Sequence, residues 1–516
     1  METPQLASPP VPLLLGQAAD FGRVRALFEK AQFDEKTISR ALGIADMVEL
    51  GKVRIEEADL AAALGSPMLA VLVRAFLLNR FVPRDVVERT INDAALGSLL
   101  ALDLVRPDQD AYYAPVLLYP VAGFVIASDR HENPDGSPLA PSPDAVFPAI
   151  FAGTLRFVRL IPRSSAESAL DLCTGSGIGA LVLSRHVERV VAADITARSA
   201  HFARFNALLN DRRNVEVAQG DLYDAVAGRT FDYIVAHPPY VPALDEPRIF
   251  RDGGETGESV LRRIIQELPR HLRPGGVLYC VSAAWDSAEG PLEARMRRWL
   301  GECNREFDVI FAEQKELPRE QIASWLADKA RRTDPAASAQ WEQRFKEAGL
   351  ESNVYGAIVL RRADAPGAGD GRTPVTLRPK LSPRTDGACF AWAFRWHRWR
   401  AEHEATGRLA QALLDSRPRL GSQLRARVIY APQNGSLAVS EIMLQSDLPF
   451  RSATGIEPWM LQLVGQFGQG RTAREVYDAA RAAEEFPDGF GADDFATLVA
   501  MMIERGYLEV EDSTLL

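Results

Sequence analysis

The chain has 516 residues, of which 59 are lysine or arginine and 69 are aspartate or glutamate, so its formal net charge is −10 at pH 7. Its content of 47% hydrophobic and 25% charged residues is that of a globular protein, which excludes a mainly disordered, collagen-like or coiled-coil chain. The length predicts about three domains, and the overall acidity argues against a general nucleic-acid binder.

The four cysteines lie far apart without a CxxC pair, and the seven histidines form no cluster in the sequence. We therefore predict neither a zinc site nor a disulfide framework. The N-terminus has no basic region of the kind that begins a signal peptide. The longest apolar stretch, Ala114–Ala127, is shorter than the ~20 residues that cross a bilayer. We expect a cytoplasmic protein that makes no contact with a membrane.

The chain is predicted to begin with a flexible segment, residues 1–19, followed by a helical module at residues 20–130. Thr37 is the candidate N-cap of one helix of this module and Gly43 its stop. The apolar residues that recur at helical spacing near the start of the module are Phe21, Val24, Leu27 and Phe28.

Two β-segments, Tyr112–Pro120 and Gly123–Ser128, close this module as a hairpin. Helices followed by a hairpin are typical of a winged helix, which could bind a nucleic acid. Because the charges of the module are mixed in sign, we favour a role in framing a neighbouring site.

Strands alternate with helices from about Leu160 onward, which predicts a parallel sheet with helices on both faces. Glu316–Gly349 is predicted to be helical and Val354–Arg361 to be a final strand. A Gly- and Pro-rich linker is predicted at residues 365–385. The other predicted strands are Ser168–Leu172, Arg189–Asp194, Asn214–Gly220, Phe231–His237 and Gly276–Ser282.

The last region, residues 386–516, is predicted to be an α+β accessory domain that ends in a second winged-helix-like unit. Residues 372–427 carry twelve basic and four acidic side chains, whereas residues 446–516 carry five basic and thirteen acidic ones. The predicted helices near the end are Trp459–Phe467, Thr472–Glu485 and Asp493–Arg505, before a strand at Tyr507–Val510.

An aromatic segment in this region, Cys389–Arg400, alternates large aromatic residues with small or basic ones. Read as a strand, it places four aromatic side chains on one face. That face could stack on a nucleic acid or hold a peptide. We favour the alternative in which the aromatic residues pack inside the domain while the arginines are solvated or pair with the acidic end of the chain. The four side chains are Phe390, Trp392, Phe394 and Trp396.

The chemistry is concentrated at the ends of the predicted parallel strands. The glycine-rich turn Asp171–Gly179 follows the first of these strands and opens a helix predicted at Ala180–His186, an arrangement that brings backbone amides close to a ligand. The next strand ends in Asp194, about twenty residues after the turn, where a carboxylate can hold both ribose hydroxyls. Asp221 ends the third strand and could accept a hydrogen bond from an adenine amino group. The fourth strand runs into His237-Pro-Pro-Tyr240, a loop that two prolines restrain.

With its motifs in this order, the region resembles the class I S-adenosylmethionine-dependent methyltransferases. It is most similar to the branch with an Asn-Pro-Pro-Tyr loop, which contains release-factor glutamine methyltransferases and base N-methyltransferases, and to larger bacterial relatives of that branch. The resemblance extends through Glu246-Pro-Arg248, Asp252–Gly257 and Leu272–Gly276. It implies an α/β fold, namely a Rossmann-like methyltransferase sheet at residues 131–364 with helical, winged-helix-like modules at both ends.

The resemblance also implies S-adenosylmethionine as the cofactor and assigns the site residues. Asp171, Gly175 and Gly177 would line the methionine moiety, Asp194 would bind the ribose, and Asp221 with Leu222 would flank the adenine. Residues 143–148 would close the other side. The full predicted cofactor-binding set is Asp171, Cys173, Gly175, Gly177, Asp194, Ile195, Asp221 and Leu222, and the predicted catalytic set is His237, Pro238, Pro239 and Tyr240.

Two residues depart from the family pattern. Cys173 replaces the first glycine of the turn, where we favour a small packed side chain over a reactive thiol. His237 replaces the family's Asn or Asp, whose oxygen accepts a hydrogen bond from the amino group being methylated. A neutral imidazole could accept that bond, or it could act as a general base. A third possibility is that His237 only caps the strand and leaves the site inactive.

The sequence therefore predicts methyl transfer to a nitrogen or oxygen atom of a polypeptide or of a pathway small molecule held at the His237–Tyr240 loop. One alternative is N-methylation of a base in RNA or DNA, which the acidity disfavours. The other is a non-catalytic scaffold that binds the cofactor or its product. The oligomeric state is left open.

Overall fold

The computed structural model describes residues 11–45, 47–52, 57–140, 142–243, 249, 251–329, 335–364 and 373–511. The chain forms two compact units. The first contains Met1–Trp285 and Arg298–Gly301, and the second contains Asp286–Arg297 and Glu302–Leu516. Within the described ranges, no helix is long and apolar enough to cross a membrane.

The first unit begins with short helices, as the sequence predicts. The residues at helical spacing in α1, Phe21, Val24, Leu27 and Phe28, are all buried. Short 3-10 and π-helical turns at Met47–Lys52 and Val73–Leu77 join some of the helices. The helices are α1 (Ala18–Ala31), α2 (Glu35–Leu42), α3 (Glu57–Leu64), α4 (Pro67–Leu72), α5 (Arg84–Thr90) and α6 (Asp93–Ala101).

The predicted N-cap of α2 was wrong. The helix begins at Glu35, and its N-cap is Asp34, whose carboxylate accepts a hydrogen bond of 2.8 Å from the Thr37 amide. Thr37 lies three residues after the cap, because aspartate satisfies the free amides of the first turn equally well. The predicted stop at Gly43 is confirmed, since this residue ends α2 with a φ of 67°.

The predicted hairpin is confirmed, although its first arm is interrupted. Strands β1 (Val82–Pro83), β2 (Arg106–Asp108) and β3 (Ala111–Tyr113) form an antiparallel sheet in the order β1-β3-β2. Strands β4 (Leu117–Val121) and β5 (Phe124–Ser128) form the hairpin. The predicted strand 112–120 is therefore divided between β3 and β4. The winged-helix assignment stays a prediction.

Five parallel strands form the core of the first unit, in the order β10-β9-β6-β7-β8. The predicted strands in this part of the chain are confirmed. The strand order reverses between β6 and β9, the position in such sheets at which ligands bind beyond the carboxyl ends of the strands. The strands are β6 (Ala166–Leu172), β7 (Val187–Asp194), β8 (Val215–Gln219), β9 (Phe231–Ala236) and β10 (Leu272–Ser287).

Helices separate these strands along the chain, as a parallel sheet requires. The helix after the glycine-rich turn begins at Ile178, two residues before the predicted start, and ends at Leu183. A 3-10 turn, Leu222–Val226, follows β8. The helices are α7 (Ala152–Leu160), α8 (Ile178–Leu183), α9 (Ala197–Leu209) and α10 (Ser259–His271).

The second unit contains a long antiparallel pair, β11 (Phe307–Pro318) and β12 (Leu350–Arg362), with β13 (Thr376–Leu377) parallel to β11. The predicted final strand 354–361 is confirmed within β12. The helical prediction for 316–349 was wrong at its start, because β11 continues to Pro318 in register with β12. The helices here are α11 (Leu292–Trp299), α12 (Arg319–Lys329) and α13 (Pro335–Glu347).

The strand predicted at 389–400 was wrong, because this segment lies within a helix, α14 (Gly387–Ala405). The Asp386 carboxylate caps the helix by accepting hydrogen bonds from the amides of Ala388 and Cys389. Aromatic residues four apart share one face of a helix, and the rings of Trp392 and Trp396 stack 6.0 Å apart. The side chains of α14 that are buried include Phe390, Phe394, Trp396 and Trp399.

The C-terminal elements of this unit pack against α14 in one apolar core. Arg400 forms an ion pair with Glu504, and Arg419 forms one with Glu509. These contacts support the packed alternative for the aromatic segment. The predicted C-terminal helices are confirmed. The elements are α15 (Leu409–Asp415), β14 (Arg419–Leu420), β15 (Arg425–Gln433), β16 (Ser436–Ser446), β17 (Ser452–Gly455), α16 (Pro458–Val464), α17 (Ala473–Ala482), α18 (Ala492–Glu504) and β18 (Leu508–Glu509).

The predicted domain boundaries stay predictions. Part of the predicted linker 365–385, part of the N-terminal segment 1–19, and Glu246-Pro-Arg248 lie outside the described residues. The described part of the linker range contains the short strand β13.

Candidate functional site

A cavity of about 560 Å³ lies beyond the carboxyl ends of β6, β7, β8 and β9. Of the twelve predicted site residues, all but Gly177 line it. Parallel strands place their carboxyl ends at one edge of the sheet, which explains how turns far apart in sequence meet here. The predicted residues in its wall are Asp171, Cys173, Gly175, Asp194, Ile195, Asp221, Leu222, His237, Pro238, Pro239 and Tyr240.

Asp171 holds the glycine-rich turn together. Its Oδ2 accepts hydrogen bonds from Thr174 Oγ1 at 2.5 Å and from the Ala180 amide at 2.8 Å. A Cβ atom at Gly179 would lie 2.6 Å from Asp171 Oδ1, so only glycine fits beside the carboxylate. Burial raises the pKa of Asp171 to about 7. The side chain therefore shapes the turn from inside, in addition to lining the cavity.

Of the two other residues predicted at this turn, Cys173 lines the cavity and Gly177 does not. Cys173 adopts a φ of 55°, which its family counterpart glycine would adopt without strain. Burial raises the pKa of its thiol well above the ordinary value, so the group is protonated and poorly nucleophilic. Gly177 caps α8, and a Cβ atom there would lie 3.2 Å from Ala203. Gly177 thus permits close packing between helices and does not reach the cavity.

Asp194 connects two of the turns. Its Oδ2 accepts a hydrogen bond of 2.9 Å from the Gly175 amide, and its Oδ1 accepts one of 3.1 Å from the Thr196 amide. Burial raises the pKa of Asp194. The next residue, Ile195, keeps half of its surface exposed although it is a large apolar residue at the cavity wall.

Asp221 is held by a residue that the sequence analysis missed. Arg263, on α10, donates from Nη1 to Oδ1 at 3.1 Å and from Nη2 to Oδ2 at 2.9 Å. Both residues line the cavity. Leu222 follows with a φ of 50° and is buried. No short-range sequence pattern relates Asp221 to an arginine forty-two residues away.

The His237 ring lies in an apolar environment. It stacks on Phe157 with 5.5 Å between ring centroids and 15° between planes, and its centroid is 6.1 Å from that of Tyr240. Its Nε2 atom is buried and has no hydrogen-bond partner among the residues that the structure describes. Burial lowers the pKa of His237 to about 4, so the imidazole is neutral at neutral pH.

The glycine-rich segment 252–257 packs against the backbone of the His237–Tyr240 loop. The Gly253 amide donates to the Val241 carbonyl, and the Val241 amide donates to the Arg251 carbonyl, both at 2.9 Å. A Cβ atom at Gly253 would lie 2.8 Å from the Pro239 carbonyl oxygen, and one at Gly257 would lie 2.4 Å from that of Tyr240. These glycines let two backbone segments approach closely and fix the loop.

Residues 148–307 match the family model described as the methyltransferase small domain. This part of the chain is a class I methyltransferase domain. Residues 30–115 match a domain of unknown function (DUF7059), which covers most of the N-terminal helices. The predicted resemblance is therefore confirmed for the part of the chain that carries the cavity.

Curated relatives match the methyltransferase domain over part of their length. A ribosomal protein uL3 glutamine methyltransferase of Bradyrhizobium diazoefficiens is 36% identical over 23% of this chain and 41% of its own. A release factor glutamine methyltransferase of Koribacter versatilis is 32% identical over 28% of this chain and 55% of its own. A ribosomal protein uL3 glutamine methyltransferase of Xanthomonas campestris is 32% identical over 31% of this chain and 52% of its own. The chain thus spans about half the length of these relatives.

Residues 144–147 line the cavity, and they belong to the segment 143–148 that the sequence analysis placed at this site. Its Phe147 stacks on Phe151 with 4.5 Å between ring centroids, and both rings are about half exposed. The position of this segment depends on Asp129, whose Oδ2 accepts a hydrogen bond of 2.8 Å from the Val146 amide. Arg198, on α9, pairs with the same carboxylate.

Phe151, Phe157 and Arg263 are among the lining residues that sequence reasoning missed. It also missed Asp129 and Arg198, which support the segment 143–148 without lining the cavity. The signal for Phe157 was its place in the helix that precedes the first strand. The other contacts join distant parts of the chain. Among the described residues, no group of three or more His, Cys, Asp or Glu side chains is placed to hold a metal ion.

Proposed function

We propose that the methyltransferase domain transfers the methyl group of S-adenosylmethionine to a side-chain amide nitrogen of a polypeptide held at the His237–Tyr240 loop. The observation that carries this proposal is the single cavity into which the glycine-rich turn, Asp194, Asp221 and the loop all face. The names of the relatives, which are glutamine methyltransferases of a ribosomal protein and of release factors, support a polypeptide acceptor.

The cavity residues fit this cofactor. Asp194 offers its carboxylate to the ribose, and it is kept in place by the Gly175 and Thr196 amides. Asp221 offers its carboxylate to the adenine edge, and the exposed apolar side chain of Ile195 gains burial against a nucleoside. The cofactor supplies an electrophilic methyl group, so the protein's task is to align the acceptor and to exclude water.

His237 suits a hydrogen-bonding role better than a general-base role. A ring with a pKa of about 4 is a weak base at neutral pH. An aliphatic hydroxyl acceptor would therefore receive little help, whereas an amide nitrogen requires orientation of its N–H groups. A neutral imidazole nitrogen and the carbonyl oxygens of the Pro238–Pro239 segment can accept such bonds. The glycine-rich segment 252–257 holds those carbonyls rigid.

Calorimetric titration with S-adenosylhomocysteine tests the cofactor part of the proposal without knowledge of the acceptor. We expect micromolar affinity, about −8 kcal/mol, in the full chain. Asp194→Ala should weaken it strongly, and Asp478→Ala, at an exposed position of α17, should leave it unchanged. Absence of binding in the folded wild type would refute the proposal.

The acceptor is tested with methyl-labelled S-adenosylmethionine and purified ribosomal protein uL3, a release factor and ribosomal RNA as separate probes. We expect label in a protein, resistant to ribonuclease, with N-methylglutamine found after digestion. His237→Ala should abolish labelling and retain binding of S-adenosylhomocysteine. Label confined to RNA would favour the base N-methyltransferase alternative, and cofactor binding with no label in any probe would favour the scaffold.

A further inference from the structure

Asp221 and Arg263 form a two-pronged contact in the wall of the cavity. Each Nη atom of Arg263 donates to a different oxygen of Asp221, at 3.1 and 2.9 Å. The arginine lies on α10, one turn after Val260, which also lines the cavity. This face of the helix is therefore directed toward the cavity.

The pair contributes little to stability. The two side chains are 41% and 44% exposed, and ion pairs at such positions are weak because water screens them. What the contact does provide is orientation, since a guanidinium that donates two parallel bonds fixes the plane of a carboxylate.

The backbone beside Asp221 is fixed as well. The Gly220 amide donates to the Asp194 carbonyl at 2.9 Å, and a Cβ atom at Gly220 would lie 2.9 Å from Ala225. Arg263 in turn restrains the side-chain torsions of Asp221 through its two hydrogen bonds. A carboxylate oxygen has two lone pairs, so each oxygen of Asp221 can accept a second hydrogen bond.

We propose that Arg263 is a positioning residue that aims the Asp221 carboxylate at the exocyclic amino group of the cofactor's adenine, and so selects adenine over a 6-oxopurine. This role rests on the proposed function. An amino group donates to the fixed carboxylate, whereas a 6-oxo group presents an oxygen that is repelled by it. The 6-oxopurine is disfavoured because it loses this hydrogen bond and because its 6-oxo oxygen faces the Asp221 carboxylate, so that two acceptors oppose each other.

The test compares the full chain with Arg263→Gln and Arg263→Lys, and with Arg262→Gln as the matched control. Arg262 is the preceding residue of α10, is exposed and does not line the cavity. The ligands are S-adenosylhomocysteine and S-inosylhomocysteine, titrated by calorimetry. We expect the wild type to prefer the adenine ligand by about tenfold or more, the value of one charged hydrogen bond.

In Arg263→Gln, affinity for S-adenosylhomocysteine should fall about tenfold, and affinity for S-inosylhomocysteine should change less than about twofold. Arg263→Lys should restore part of the preference, because lysine keeps the charge and loses the fork. Arg262→Gln should match the wild type. Equal losses for both ligands in Arg263→Gln, or no loss, would overturn this role while the proposed function stands. Failure of the wild type to bind either ligand would overturn the proposed function and this role with it.

Discussion

Removal of the Asp129 carboxylate should destabilise the first unit far more than loss of an ordinary ion pair. The Asp129 carboxylate accepts hydrogen bonds from Arg198 Nε at 2.7 Å and from Arg198 Nη2 at 2.5 Å. It also accepts one from the Val146 amide. The arginine side chain is only 6% exposed. Burial alone would lower the pKa of Arg198, but the hydrogen bonds and charge of Asp129 raise it, so the guanidinium stays charged.

The magnitude follows from what Asp129→Ala leaves behind. A buried guanidinium that loses the carboxylate it is hydrogen-bonded to costs about 3–5 kcal/mol, a large part of the ~5–15 kcal/mol that stabilises a typical domain. The exposed pair of Asp85 and Arg89, with side chains 68% and 72% exposed, provides the matched control. Asp85→Ala should cost less than about 1 kcal/mol.

Because the chain forms two compact units, a whole-chain unfolding curve need not report on the first unit alone. The free energy of unfolding of the first unit should instead be measured by hydrogen exchange of peptides from α9 and β6 in increasing urea. The double variant Asp129→Ala with Arg198→Ala should lose less than the sum of the single variants, since it removes the buried guanidinium together with its carboxylate. A cost for Asp129→Ala as small as that of Asp85→Ala would refute the reasoning. So would strict additivity in the double variant.

Three further predictions concern single residues. The pKa of Asp171 is about 7 in the folded chain and about 4 in the unfolded chain. The stability of the wild type relative to Asp171→Asn should therefore fall as the pH rises from 4 to 7 and stay level above 7. Urea unfolding at several pH values checks this prediction, and a difference in stability that does not change with pH would contradict it. Gly253→Ala, whose Cβ would lie 2.2 Å from a backbone oxygen, should cost about 1–3 kcal/mol and lower methyl transfer more than cofactor binding. In contrast, Gly97→Ala, in a helix with no atom within 4 Å of its new Cβ, should be neutral or stabilising by about 1 kcal/mol. Trp396 is fully buried, so Trp396→Ala should lower the free energy of unfolding of the second unit by about 3–5 kcal/mol. Trp325 is 43% exposed, and Trp325→Ala should lower it by less than about 1 kcal/mol.

The parallel sheet and its ligand edge could be predicted from the sequence because both depend on local patterns. Most strands of the sheet are short and rich in apolar residues, and polar or glycine residues such as Asp194 and Gly220 lie at or just after some of their ends. Strand ends then meet at one edge for topological reasons. A prediction of this kind needs no knowledge of how side chains pack.

The aromatic helix α14 shows where local pattern fails. Aromatic residues at positions 390, 392, 394 and 396 satisfy strand alternation, but residues 392, 396 and 399 also satisfy helical spacing. Asp386 favours the helix, because its side chain caps the first turn. Capping was visible in the sequence, whereas the packing partners of the tryptophans were not.

The contacts of Asp129 and Arg263 could not be predicted, since their partners are 69 and 42 residues away. The same limit applies to the chemistry of His237. Its identity left open a hydrogen-bond acceptor, a general base or a mere cap of the strand, and the first two roles require a different pKa of the imidazole. The stacked Phe157 ring and the buried Nε2 atom remove the water that would stabilise an imidazolium. The hydrogen-bonding role that we propose for His237 therefore depends on a neighbouring helix, α7, in addition to the loop that carries the histidine.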